Sequence, residues 1–175
     1  FNDPWHFHPE VEILYIKEGF GTKFVGDNVS PFFPKEIVIV GSNIPHVWSS
    51  SSEYLFEKNS EGNKQSCKAI CIQFNEKFLG ETFIGIPEYN KIKRFLQEAK
   101  RGMQFGSKIR EKLILHIKDL PCLNGMGKLI ELLKILDIMS NTKDYKYLSL
   151  PTVLNSAINT SDKDRMATIY EYVIK

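Results

Sequence analysis

Trp5-His6-Phe7-His8-Pro9-Glu10-Val11-Glu12, with Gly19 seven residues further on, is the stretch on which the fold turns. His6 and His8 are two apart, so on an extended strand their imidazoles face the same side. Glu12, four beyond His8, lies on that face as well unless a bulge intervenes. A second cluster, Ile44-Pro45-His46-Val47-Trp48, supplies a third histidine. Neutral imidazole nitrogens with a carboxylate form the ligand set that suits Zn, Fe, Ni or Mn. His46, arriving from an adjacent strand, would complete a three-His, one-Glu metal site of His6, His8, Glu12 and His46. The same side chains could instead hydrogen-bond a ligand directly or tie neighbouring strands together.

Outward from this stretch, the chain up to about Phe74 alternates short β-branched and aromatic runs with Gly, Pro, Asn and Ser. Val11-Glu12-Ile13-Leu14-Tyr15-Ile16 is closed by Glu18-Gly19-Phe20-Gly21, and Thr22-Lys23-Phe24-Val25 meets the hairpin-type turn Gly26-Asp27-Asn28. Ile37-Val38-Ile39-Val40 is apolar throughout, as for a strand buried on both faces. His46-Val47-Trp48, Tyr54-Leu55-Phe56 and Cys67 to Phe74 follow as further strands. Such spacing predicts an all-β sandwich or barrel. Cys67, Ala69 and Cys71 share one face of the last strand, and the reading is of small buried hydrophobes.

From about Asn75 the period becomes helical. Tyr89, Ile92, Phe95, Leu96 and Ala99 form one stripe, and Ile109, Leu113, Ile117 and Leu120 a second, stopped by Pro121. His116 sits among Leu113, Leu115 and Ile117 and reads as structural. A third helix, about Asn124 to Asn141, is apolar over more than half its circumference. A helix seated on its own core needs only a stripe about 100° wide. The excess predicts either a second subunit or burial within one helical cluster. Thr142 to Ser161 reads as a linker carrying one extended piece, Tyr145-Lys146-Tyr147-Leu148. Asp162 and Asp164 then open a last helical pattern through Met166, Ile169, Tyr170 and Val173.

The 175 residues, 42% hydrophobic with a net charge of +2, exclude a disordered chain and supply no basic nucleic-acid footprint. No apolar stretch approaches the roughly 20 residues a membrane-spanning helix needs. Three cysteines are too few for a disulfide framework and predict reduced thiols in a cytoplasmic setting. Phe1 at one end and a helical pattern still running at Lys175 predict a piece of a longer protein.

The spacing His-x-His-x₃-Glu-x₆-Gly, met at His6, His8, Glu12 and Gly19, resembles the first signature motif of the cupin superfamily. Gly26, the Pro34-Lys35-Glu36 turn and Pro45-His46 resemble the second in outline, with Lys35 where that motif carries glycine and Ser50 where it carries asparagine. Trp-His-x-His-Pro-Glu-x-Glu, then Tyr-Ile-x-x-Gly-x-Gly, then Pro-His-Val-Trp, resembles the N-terminal sensor domain of AraC-type bacterial transcription regulators. The resemblance implies a mainly β plus α chain: a cupin-like (jelly-roll) β-barrel at 1–80, an α-helical dimerisation subdomain at 81–141 and a linker at 142–161. Residues 162–175 would begin a helix-turn-helix DNA-binding domain truncated here, with DNA contacted only through that absent part.

On that resemblance a small effector binds inside the barrel and the helices around 107–141 form a homodimer. His6, His8, Glu12 and His46 would face the interior, with or without a divalent transition metal, and Phe24 and Trp48 would form apolar walls. Phe32, Phe33 and Phe56 are further aromatics on or beside strands. The competing expectation is a small metal-dependent cupin enzyme, a dioxygenase or isomerase, using the same four ligands with Tyr15 or Glu10 for proton transfer. A third, a structural dimerisation module, leaves the histidines unused. Nucleophilic catalysis finds no motif, and Gly19-Phe20-Gly21 lacks the third glycine of a dinucleotide fingerprint.

Overall fold

A run such as Ile37-Val38-Ile39-Val40 must be covered from both sides, and the computed structural model, which describes residues 4–56 and 65–150, puts it at the centre of three layers. The described residues form eight strands and five helices. The strands are β1 (Val11–Glu18), β2 (Gly21–Val25), β3 (Asn28–Phe32), β4 (Ile37–Val40), β5 (His46–Ser50), β6 (Lys68–Phe74), β7 (Met103–Phe105) and β8 (Tyr145–Tyr147). The helices are α1 (Ser52–Phe56), α2 (Gly80–Ile84), α3 (Asn90–Glu98), α4 (Ser107–Asp119) and α5 (Gly125–Asn141). Every pairing is antiparallel, in a five-stranded sheet ordered β6-β1-β4-β7-β8 and a three-stranded sheet ordered β3-β2-β5. No strand pairing closes the two sheets into a barrel among the described residues.

Side-chain alternation along each strand sorts the core. Leu14, Ile16, Val38 and Val40 of the larger sheet meet Val25, Phe32 and Trp48 of the smaller one. The opposite parity, Val11, Ile13, Tyr15, Ile37 and Ile39, packs on α3, α4 and α5 through Phe95, Leu113, Ile117, Ile135 and Leu136. A strand in the middle layer is therefore apolar at both parities, which is why β4 shows no alternation. Each such side chain contributes roughly 1.5–3 kcal/mol on full burial.

One polar pair lies inside this arrangement. Lys23 is 1% exposed and donates to Glu36 at 2.7 Å and to the Pro31 carbonyl at 2.8 Å, while Gln104 on β7 donates to the other Glu36 oxygen at 3.0 Å. Burial pushes the Lys23 ammonium below the usual lysine range against the pull of Glu36. Just before it Lys35 has φ 69°, the left-handed conformation glycine favours, so the turn survives the departure from glycine noted in the sequence. Its N–H is held by the Ile16 carbonyl at 2.8 Å.

Several expectations change. Tyr54-Leu55-Phe56 is not a strand but the end of α1, and Phe56 is 81% exposed. With no buried residue, that segment has nothing to hold it extended on a sheet. Phe33 is likewise exposed, whereas Phe32 is core. Cys71 and Cys122 are exposed and Cys67 half-buried, because β6 is the sheet's outer strand and Cys122 lies in the turn after α4. The sheet does not end at residue 80: β7 adds to β4 and β8 to β7, so the extended piece within 142–161 is an edge strand.

In α5, Leu132, Ile135, Leu136 and Met139 are buried while Met126 is 68% and Ile130 48% exposed, as is Leu115 of α4 at 66%. His116 bonds Glu131 through Nδ1 and so ties α4 to α5. No helix among the described residues is long and apolar enough to cross a membrane. The helical pattern expected at 162–175 lies outside the described residues.

Candidate functional site

The three clustered histidines are brought together by backbone pairing. The segment carrying His6 runs antiparallel to β5, with the His46 N–H donating to the His6 carbonyl at 2.9 Å and the His6 N–H to the His46 carbonyl at 3.2 Å. The Asn43 N–H then reaches the His8 carbonyl at 2.8 Å. β1 follows and delivers Glu12 on the face turned toward the smaller sheet. Ring centroids of His6 and His46 are 4.6 Å apart, and those of His8 and His46 5.0 Å.

Each ring is oriented in the same way. Nδ1 lies 2.9 Å from the Pro4 carbonyl in His6, 3.1 Å from the Glu10 carbonyl in His8 and 2.7 Å from the Ile44 carbonyl in His46. A carbonyl only accepts, so each Nδ1 carries the proton, and in the neutral ring Nε2 is left with the lone pair. One ligand atom from each of His6, His8, Glu12 and His46 falls within 4.8 Å of the others. His8 Nε2 is 3.3 Å and His46 Nε2 3.7 Å from the Glu12 carboxylate. His46 is 1% exposed and its Nε2 has no hydrogen-bond partner among the described residues.

Lone pairs facing a carboxylate call for a positive centre. A divalent cation fits, and backbone carbonyls on the far ring nitrogens are the outer support usual for metal-bound histidine. The donor set suits the expected Zn, Ni, Fe or Mn. Burial works against the charge of Glu12. Where no metal supplies that positive centre, a positive His46 ring, the Gln73 amide at 2.9 Å and the Cys71 thiol outweigh it and hold the carboxyl down to about 2. Cys71 is exposed as a residue, but its sulfur turns in toward Glu12, and that partial burial, reinforced by the Glu12 charge, pushes the thiol up to about 12, so it is a poor nucleophile.

The cluster opens onto a cavity of about 230 Å³ between the sheets, walled by His6, Glu12, Leu14, Trp48, Cys71 and Gln73. Trp48, expected as an apolar wall, is one, and its indole N–H is buried with no partner among the described residues. Phe24 is not. It pairs in register with Val47 on the outer face of the smaller sheet, where both pack with Trp5. Strand parity decides this, since Lys23 and Val25 take the inner face. Tyr15 is also displaced, lying on the helix side of β1, which removes it as a proton-transfer partner. Glu10 stays near, 3.5 Å from His8. Gln73 and Cys71 were missed in the sequence because their place depends on the pairing of Glu12 with Gln73 and of Leu14 with Cys71.

No family model matches the chain, and no curated protein matches it significantly.

Proposed function

We propose that the chain is the effector-sensing and dimerisation part of an AraC-type transcription regulator, with a cupin-like sandwich as the sensor. The observation that carries the sensing role is the pair of buried polar atoms without a partner among the described residues, His46 Nε2 within the histidine cluster and Trp48 Nε1 on the wall of the cavity onto which that cluster opens through His6 and Glu12. Leaving a buried polar group unpaired costs about 1–3 kcal/mol, a cost that a bound cation and a ligand acceptor would offset. His6, His8, Glu12 and His46 would hold a divalent metal, whose role is to fix an effector oxygen at the cavity mouth. Trp48 would stack on or donate to that effector. Leu115, Met126 and Ile130, exposed on α4 and α5, support a homodimer through the helices around 107–141.

The same four ligands support a metal-dependent cupin enzyme as the second reading, now without Tyr15 as its acid–base partner. Replacing His6 and His8 together by Ala in the full-length protein separates the two. The regulator reading expects loss of metal uptake and of effector-dependent DNA binding, with the oligomeric mass unchanged. A full-length protein that binds no DNA but consumes O₂ or isomerises a substrate only with all four ligands present would establish the enzyme instead.

A further inference from the structure

On the helix side of the larger sheet, a second cavity of about 260 Å³ lies between α3, the end of α5 and the start of β8. Its floor is Phe95 and Met139, both buried in the helix-side core. Lys91, Arg94 and Lys143 stand around it, and none forms an ion pair among the described residues. The one carboxylate in the lining, Glu98, already accepts from the Tyr147 hydroxyl at 3.0 Å and the Tyr145 hydroxyl at 3.5 Å. Three cations against one engaged carboxylate leave the rim positive above an apolar floor.

The C-terminal carbonyls of α5 carry a partial negative charge that could account for one cation. Lys91 takes that place, bonded to the Asn141 side chain on the last turn. Among the described residues Arg94 engages Nε, on the Asn90 carbonyl at 3.4 Å. A guanidinium presents its remaining donors as a fork matched to a planar or tetrahedral oxyanion. Thr142, whose oxygen accepts the Asp144 N–H at 3.0 Å, still has its own hydroxyl proton to donate at the rim.

We propose that this cavity is a second small-molecule site, independent of the histidine cluster, for a compact oxyanion on a short apolar body. The anion sits between Arg94 and Lys143, and the body lies on Phe95 and Met139. Carboxylate and phosphate share the chemistry, so phenyl phosphate, phenylacetate, inorganic phosphate and benzyl alcohol serve as probes, followed through backbone amide shifts. Expected is saturable binding of phenyl phosphate or phenylacetate, at least about tenfold tighter than inorganic phosphate, with shifts at 91–98 and 139–145. Benzyl alcohol should not saturate. Arg94→Gln with Lys143→Gln should weaken binding about tenfold or more while the melting temperature stays within a few degrees. The proposal is overturned if neither anion saturates, if the double variant binds equally well, or if it lowers stability without changing affinity. The last result would mean that the cations only answer the end of α5.

Discussion

Glu12 keeps its charge where burial alone would remove it, and the consequence can be measured. Its carboxyl falls from the ordinary 4.5 to about 2 on folding, so the folded state binds that proton less readily than the unfolded chain. The stabilisation is present in full above pH 4.5 and is lost as pH falls through about 2. Integrated over that interval it is about 3 kcal/mol. Glu12→Gln should therefore flatten this part of the acid-unfolding curve in metal-free protein, with the two curves differing most in slope between pH 4.5 and 2. Denaturant titrations at half-unit pH steps test it. Parallel curves would show that Gln73 and His46 do not favour the charged form. Cys71 enters the same balance from the other side, donating its proton toward Glu12 and staying a thiol.

At the scale of elements, the two sheets are joined by apolar contact and, apart from the histidine cluster, by a buried ion pair that crosses between them. Lys23 belongs to β2 of the smaller sheet, while Glu36 precedes β4 and is held by Gln104 of β7 in the larger one. Lys23→Met leaves the Glu36 carboxylate buried with only the amide, and should cost about 3–5 kcal/mol. Lys23→Met with Glu36→Leu removes the stranded charge and should recover most of the loss, since well-packed apolar pairs often replace buried ion pairs without penalty. Chemical denaturation of both variants decides the matter. A double variant as unstable as the single one would mean that the hydrogen bonds to Pro31 and Gln104 outweigh the charge.

Across the whole molecule, what was legible in the sequence was whatever local periodicity controls. The both-faces burial of Ile37 to Val40, the helical stripe of Phe95 and Leu96, and the facing of His6, His8 and Glu12 all follow from a period of two or 3.6. What was not legible depends on which strands become neighbours. Gln73 reaches Glu12 only through register, Phe24 leaves the cavity through strand parity, and Tyr145 to Tyr147 become an edge strand because β7 offers them one. The same long-range pairing ties the cavity to the chain's exit from the sheet. Leu148 is buried in the inter-sheet core with Leu14 and Trp48, both of which wall the cavity. Its N–H and that of Ser149 donate to Gly102 and Arg101 at 3.0 and 2.8 Å, and Gly102, at φ 60°, has no room for a side chain beside Val25. Beyond it, Asp27 in the β2–β3 turn accepts the Ser149 hydroxyl at 2.6 Å and the Leu150 N–H at 3.2 Å. On the proposed sensing role, a ligand that shifts Trp48 or Leu14 would press on the segment through Leu148 to Leu150, whose outermost described anchor is Asp27. Hydrogen bonds to a charged acceptor contribute about 1.5–3 kcal/mol, so Asp27→Ala should raise amide exchange at Leu150 about tenfold or more. Metal affinity at the proposed histidine site, which Asp27 does not touch, should stay within about twofold. Unchanged exchange would place the hold on Leu148 alone. On the proposed regulator reading, a released anchor with the histidine cluster intact should uncouple effector binding from DNA binding, because the two states would no longer differ in what the exit segment contacts.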